Sequence, residues 1–201
     1  MSKLAFSGNE NGSGIFTIAA PNSNTDRTIT LPDEAGTVIT TAGVPASAMP
    51  TGSVLQVVQA TYSTTTTIAN TNTTNYYQSG HSVSITPSST SSKILVIAQG
   101  TYGGNTGSTG INIKIFRNSG TATTYTSYIQ GYLNNITYLS YQQIPFTLIT
   151  LDSPSTTSAT TYQTWMNPNH GTPTGNSYLG GRNNDGLQTS NSTIMALEIA
   201  G

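Results

Sequence analysis

Apolar and polar residues alternate in short blocks along most of the chain, and a period of two predicts β-strands. The block INIKIF at 111–116 is the clearest case: its three isoleucines are expected to face inward, with Asn112 and Lys114 facing outward. The block TIMALEIA at 193–200 follows the same pattern. In it we expect Met195, Leu197 and Ile199 on one inner face and Glu198 on the opposite, solvated face.

Several other blocks have the length and composition of strands, with turn-forming residues between them. A nearly continuous apolar run, KILVIAQ at 93–99, is typical of a strand buried on both faces. The polar, Thr-rich stretch 61–80 is expected to form two edge strands. The remaining blocks lie at 53–60, 82–86, 145–152 and 161–166. Seven or more strands at this spacing indicate an all-β sandwich or barrel. Of these we expect an antiparallel β-sandwich, similar to a jelly roll.

The first 52 residues differ from the rest of the chain. They contain only short extended pieces, and they end in VPASAMPTG at 44–52, whose two prolines and small residues are typical of a linker. The sequence therefore predicts two parts: a short extended N-terminal stem or attachment segment over 1–52, and a β-sandwich head domain over 53–201.

Composition excludes several classes of function. Only 6% of the 201 residues are charged and the net charge is -1, so nucleic-acid binding is not expected. Thr and Ser together make up almost a third of the chain, which suits strands and turns. The chain has no cysteine, no long apolar run and no apolar core of a signal peptide, so we expect no disulfide, no membrane insertion and no secretion signal.

Acidic residues are the first candidates for chemistry. Asp33 and Glu34 are adjacent in LPDEAG, between Pro32 and Gly36, and this pattern favours a turn over an acid–base pair. Paired catalytic carboxylates come from separate segments held at a defined distance. No other acid, Glu198 included, lies in a matching motif, so no catalytic residue is predicted.

Histidines are equally uninformative about catalysis. The chain has two, His81 and His170, and neither lies in the HxH or HExxH spacing of a metal site. The pattern GxSxG of a serine nucleophile is absent as well. We expect both histidines at polar surface or loop positions, with no metal and no cofactor bound.

Tyrosine is the dominant aromatic residue, with 11 copies against four Phe and one Trp. Tyrosine rings suit either subunit contacts, as half-buried strand residues, or sugar and protein recognition. For the second role the loop-rich end of the head is the candidate. Its predicted receptor-binding residues are Trp165, His170, Tyr178 and Arg182.

Three blocks resemble a C-terminal β domain of tailed-bacteriophage structural proteins, including cyanophage tail fibres: SVSITPSSTSSKILVIAQG at 82–100, LDSPSTTSATTY at 151–162 and STIMALEIA at 192–200. The block TITLPDEAGTVITTAG at 28–43 resembles the short module that precedes such domains. The resemblance implies a homotrimeric virion component that has no cofactor and no catalytic residues.

The expected function is that of a non-enzymatic virion protein, a phage tail fibre, fibre tip or baseplate-attached fibre. Residues 1–52 would bind a tail or baseplate protein, and the head would bind a host-surface glycan or protein during adsorption. Such a protein is assembled in the host cytoplasm and then belongs to the virion. Two alternatives remain open from the sequence: a capsid decoration or head-fibre protein of the same fold, and a polysaccharide depolymerase.

Overall fold

The computed structural model describes residues 44–69, 76–104, 111–117, 125–129, 143–168, 176–182 and 189–201, with 10–15, 17, 19, 22–26 and 28 near the N-terminus. Contacts between residues divide the chain into two units, Met1–Val38 and Ile39–Gly201, and every strand of the described residues lies in the second unit. The predicted turn at Asp33 and Glu34 lies outside the described residues. The predicted division after residue 52 stays a prediction.

The described part of the second unit consists of ten β-strands and one turn of 3₁₀-helix at Ala46–Ala48. The strands are β1 (Val54–Tyr62), β2 (Thr66–Ala69), β3 (Tyr77–Ile85), β4 (Lys93–Gly104), β5 (Ile111–Arg117), β6 (Tyr125–Ile129), β7 (Ile144–Asp152), β8 (Thr160–Pro168), β9 (Asn176–Leu179) and β10 (Ser192–Ile199). In this part of the chain no helix is both long enough and apolar enough to span a membrane.

The strands form two antiparallel sheets. In sheet A, β10 lies between β1 and β4, and β7 pairs with the other edge of β4. The short strands β9 and β2 continue sheet A beside the end of β4. Sheet B has the order β3-β8-β5-β6. The orders β1-β10-β4-β7 and β3-β8-β5-β6 are those of an eight-stranded jelly roll. The predicted all-β antiparallel sandwich is therefore confirmed, and the Thr-rich stretch supplies an edge strand to each sheet.

The core lies between the two sheets. Sheet A contributes alternate residues of β4 and β10, and sheet B contributes alternate residues of β3, β5 and β8, as the period of two requires. The most deeply buried apolar members are Ile85, Ile94, Val96, Ala98, Ile115, Tyr162, Met166, Ile194 and Ala196.

The inner face of the last strand is the opposite of the one expected. Ile194, Ala196 and Glu198 face the core, whereas Met195, Leu197 and Ile199 are only partly buried on the outer side. Both faces of this strand carry apolar residues, so alternation alone could not tell which one would be covered. The same holds for KILVIAQ, which is fully buried on one face and only partly buried on the other.

Asn112 is buried, not solvated as the alternation of INIKIF suggested, and it is only 5% exposed. Its side-chain amide donates to Oδ1 of Asn167 on β8 at 3.4 Å, and the two residues are direct cross-strand partners. Phe116, on the same outer side of β5, is also buried. The outer face of sheet B is therefore covered over part of its area, which local alternation cannot predict.

The expectation that His81 lies at a polar surface or loop position was also wrong, because His81 lies inside β3 and is fully buried. Gly80, at φ 80°, lies in an irregularity of the β3–β8 pairing. This left-handed conformation favours glycine. The His81 ring packs edge-on against Tyr62 at a centroid distance of 5.2 Å, and its Nδ1 lies 3.2 Å from Oγ1 of Thr164. Burial lowers the pKa of His81 to about 4, against a smaller opposing effect of the Thr193 backbone.

Candidate recognition surface

Trp165 lies on the outer face of sheet B. In β8, Tyr162, Thr164 and Met166 are buried, and the alternation turns Trp165 to the outer side, where it is half-buried. Its direct cross-strand neighbours are Lys114 on β5 and Gln78 on β3. The indole is therefore held by a central strand with a partner on each side, which gives it a rigid base.

Trp165 belongs to an aromatic cluster, defined here as Tyr76, Phe116 and Trp165. The rings of Phe116 and Trp165 lie 4.8 Å apart at an interplanar angle of 33°, and those of Tyr76 and Phe116 lie 5.7 Å apart at 55°. These centroid distances are within the favourable range for aromatic pairs. Phe116 is only 3% exposed, whereas Tyr76 and Trp165 are half-buried. The buried phenylalanine thus supports two partly accessible rings.

Polar groups border this cluster. The ammonium group of Lys114 lies 4.5 Å from the centroid of the Tyr76 ring, within the range of a cation–π interaction. The indole nitrogen of Trp165 is buried and has no hydrogen-bond partner among the described residues. Aromatic faces with an adjacent cation can stack on a sugar ring and attract its polar groups.

The four residues predicted to bind a receptor do not share one sheet. Trp165 lies on sheet B, whereas Tyr178 lies on β9 of sheet A and is only 1% exposed. The hydroxyl of Tyr178 accepts a hydrogen bond of 3.4 Å from the Asn176 amide. Arg182 follows β9 and is partly buried, and His170 lies outside the described residues. A receptor-binding role for each of the four stays a prediction.

Sequence reasoning did not assign Tyr76, Phe116 or Lys114 to the recognition surface. The signal for two of them was present, because the alternation of INIKIF puts Lys114 and Phe116 on one face of β5. What was missing was the pairing of β5 with β8, which brings that face beside Trp165. Tyr76 immediately precedes β3, and its ring meets the cluster only through the tertiary fold.

Glu198 is the acidic residue that the fold buries most completely, among those described. Its Oε1 accepts hydrogen bonds from the backbone N–H of Ser88 at 2.6 Å and from the hydroxyls of Ser88 and Ser92 at 2.7 and 2.6 Å. Its Oε2 accepts one from the Gln56 amide at 2.6 Å. Burial acts to raise the pKa of Glu198, but the hydrogen bonds from Ser92, Gln56 and Ser88 outweigh it and lower the pKa. A general acid needs the opposite shift.

Asp152 forms a second buried carboxylate site, on β7. The guanidinium of Arg117 donates to its Oδ2 at 3.0 Å and to its Oδ1 at 3.2 Å, and the Tyr162 hydroxyl donates to Oδ2 at 2.6 Å. Burial, followed by the hydrogen bond to Asp152, raises the pKa of Tyr162 far above its usual value. Both donors come from sheet B, so this carboxylate joins the two sheets.

The two carboxylates lie in one cross-strand row. Glu198 pairs with Ile94, which pairs with Asp152, and all three side chains face the interior. Two strand spacings separate the acids by roughly 10 Å at Cα. Each carboxylate accepts hydrogen bonds from several protein donors, so we infer that both carboxylates stabilise the sandwich. No group of three or more potential metal ligands occurs within the described ranges.

A pocket of about 380 Å³ lies beside the Glu198 network. Its lining includes Met49 and Leu55, the serines of the β3–β4 connection, and Ala200. Ser88 and Ser92 contribute to the wall, but their hydroxyls already donate to Glu198. The pocket thus lies between the segment before β1, the β3–β4 connection and the end of β10. Its lining side chains include no acid, histidine, lysine or arginine.

Comparison with known proteins adds little to this description. No family model matches the chain, and no curated protein matches it. Among solved structures, the crystal structure of the infectious bursal disease virus VP2 subviral particle is similar over 73% of this chain and 33% of that chain, with 14% sequence identity and a TM-score of 0.36. The chain thus spans one third of the length of that neighbour, and a likeness this weak carries no argument about function.

Proposed function

We propose that this protein is a structural component of a virion, specifically a tail fibre or fibre-tip protein of a tailed bacteriophage, and that its jelly-roll unit recognises the host surface. The observation that carries the recognition role is the aromatic cluster with Lys114 on the outer face of sheet B. The virion assignment is supported by the resemblance of 82–100, 151–162 and 192–200 to phage fibre domains. These blocks contain β10 and parts of β3, β4, β7 and β8.

The proposed ligand is a bacterial cell-surface polysaccharide. Sugar rings present apolar C–H faces to aromatic side chains, and the Lys114 ammonium suits hydroxyl and carboxylate groups. Two partly accessible rings give a shallow contact, so binding by one copy is weak. Several copies on one fibre, as in the proposed homotrimer, would raise the overall affinity through multivalency. Residues 1–52 are the proposed attachment to a tail or baseplate protein.

Binding to immobilised lipopolysaccharide and capsular polysaccharide from a panel of bacteria tests the recognition role. Trp165→Ala is expected to reduce retention on the bound polysaccharide at least tenfold, and Lys114→Ala to reduce it less. Ser84→Ala, on the exposed outer side of β3, is the matched control on the same sheet and is expected to bind normally. Equal retention of the Trp165→Ala and wild-type proteins would contradict recognition by this surface.

The location on the particle needs a separate measurement. Gold-labelled antibodies against the purified protein are expected to mark the tail or its fibres in electron micrographs of virions. Labelling of the capsid surface would replace the tail assignment with a decoration or head-fibre role. Absence of the protein from purified virions would reject both assignments.

A further inference from the structure

The outer face of sheet A carries two consecutive cross-strand rows of apolar side chains. On this face the residues alternate with the core residues of the same four strands, β1, β10, β4 and β7. The two rows are Val57, Leu197, Leu95 and Leu151, followed by Gln59, Met195, Ile97 and Ile149. Seven of the eight side chains are apolar, and we call these seven the apolar face.

The apolar face is accessible, and a polar row borders it at one end. Val57, Ile149 and Leu151 are 56%, 55% and 56% exposed, and the other four members are partly buried. The next row along the strands is entirely polar, and its members are Thr61, Thr193, Gln99 and Thr147. An apolar centre beside a polar border is the usual anatomy of a protein–protein interface.

Charge and area indicate what covers this face. The three rows contain no charged side chain, and the nearest charge on this side of the sheet is that of Lys93, in the row beyond Leu95 and Leu197. A complementary partner must therefore present an uncharged, apolar surface to these rows. Strand spacing and rise make the two apolar rows about 19 by 14 Å, and the polar row extends them to about 19 by 20 Å, or about 390 Å² in projection. This is about half of the roughly 800 Å² that each partner contributes to a standard interface. The face can therefore form the centre of a contact that the polar row and neighbouring residues complete.

We propose that the apolar face of sheet A is the contact between copies of this chain. A second copy presents a surface of this kind, because it carries the same uncharged apolar rows and the same polar border. The contact would bury the half-exposed valine, isoleucine and leucine, and in the proposed homotrimer it repeats around the threefold axis. The recognition surface lies on sheet B, so association through sheet A leaves the aromatic cluster accessible.

Light scattering on the full chain tests the proposal. At 50 µM the wild-type protein is expected to have at least twice the 21.0 kDa mass of one chain. Leu151→Lys and Val57→Lys, at positions that are already more than half exposed, are expected to give folded monomers. Thr157→Lys, at an exposed position in the β7–β8 connection, is the matched control and is expected to keep the wild-type mass. Circular dichroism confirms that each variant is folded.

Thiol labelling gives a second measurement, because the natural chain has no cysteine. A cysteine introduced as Ile149→Cys is expected to react with maleimide at least tenfold more slowly than one introduced as Thr157→Cys. Adding Leu151→Lys to the Ile149→Cys protein should remove that protection. A monomeric wild type would overturn the proposal, and so would an assembly whose mass is unchanged in both lysine variants. Rapid labelling at Ile149→Cys in an assembled protein would place the contact elsewhere and would equally overturn it.

Discussion

The side-chain amide of Gln56 donates a hydrogen bond of 2.6 Å to the carboxylate of Glu198, and the same nitrogen donates to the carbonyl of Thr86 at 2.7 Å. Through Glu198, which also accepts from Ser88 and Ser92, this amide joins β1 and β10 to the connection between β3 and β4. The carboxylate therefore stabilises one end of the sandwich by linking three segments that are distant in sequence.

Replacing Glu198 with glutamine is expected to destabilise the fold. The amide that replaces one carboxylate oxygen is itself a donor, so it faces donors such as Ser92 without accepting from them. Hydrogen bonds to a buried charged group each contribute about 1.5–3 kcal/mol, so we expect a loss of at least 2 kcal/mol. Urea denaturation at pH 7 measures it. Glu10→Gln, at an exposed position, is the control and should change the free energy of unfolding by less than about 0.5 kcal/mol. Equal stability of the two variants would show that the network contributes little.

Acid should destabilise the protein between pH 6.5 and 4 because of His81. The pKa of His81 is lowered to about 4 in the folded state, so in this range the unfolded chain binds the proton and the native state does not. Stability is therefore greatest above pH 6.5 and falls as the pH is lowered, by up to about 3 kcal/mol for this group. The lowered pKa of Glu198 acts in the same direction at lower pH, because its protonation favours the unfolded state.

The His81 contribution can be isolated by comparing pH profiles. Unfolding free energies of the wild type and His81→Gln, measured from pH 7.5 to 4.5, should show a clearly smaller slope for the variant, whatever its stability at neutral pH. Parallel profiles would mean that His81 is protonated in the native state or does not contribute.

The Tyr162 hydroxyl and the Arg117 guanidinium share the Asp152 carboxylate, so their contributions should be coupled. Tyr162→Phe keeps the ring in the core but removes the donor 2.6 Å from Oδ2, and we expect it to cost about 2 kcal/mol. Arg117→Met leaves Asp152 without its ionic partner. A double-mutant cycle by urea denaturation is expected to give a coupling energy of at least about 0.5 kcal/mol. Strictly additive losses would show that the two donors act independently.

Alternation along the chain was sufficient to predict strands and a sandwich, because a period of two and regular turn signals are local properties. It was not sufficient at positions where both faces of a strand are apolar. In β10, either Ile194 and Ala196 or Met195 and Leu197 could be buried. Which pair faces the core depends on which face of β10 its pairing with β4 turns toward sheet B. The mistaken positions of Glu198 and His81 have the same origin: a buried polar side chain needs partners, and those partners come from distant segments.

The candidate recognition surface could likewise be predicted only in part from the sequence. Trp165 was identifiable as the single tryptophan in a polar chain whose other aromatic residues are mostly tyrosine. Its partners Phe116 and Tyr76 were not identifiable, since only the tertiary fold brings the rings together. The sequence by itself determined the fold class, the approximate positions of most strands and the low content of charged residues. Only the tertiary structure decided which face of each strand is buried, which donors stabilise Glu198 and Asp152, and where aromatic and apolar surfaces remain exposed. These depend on contacts between segments far apart in the chain, which local patterns do not encode.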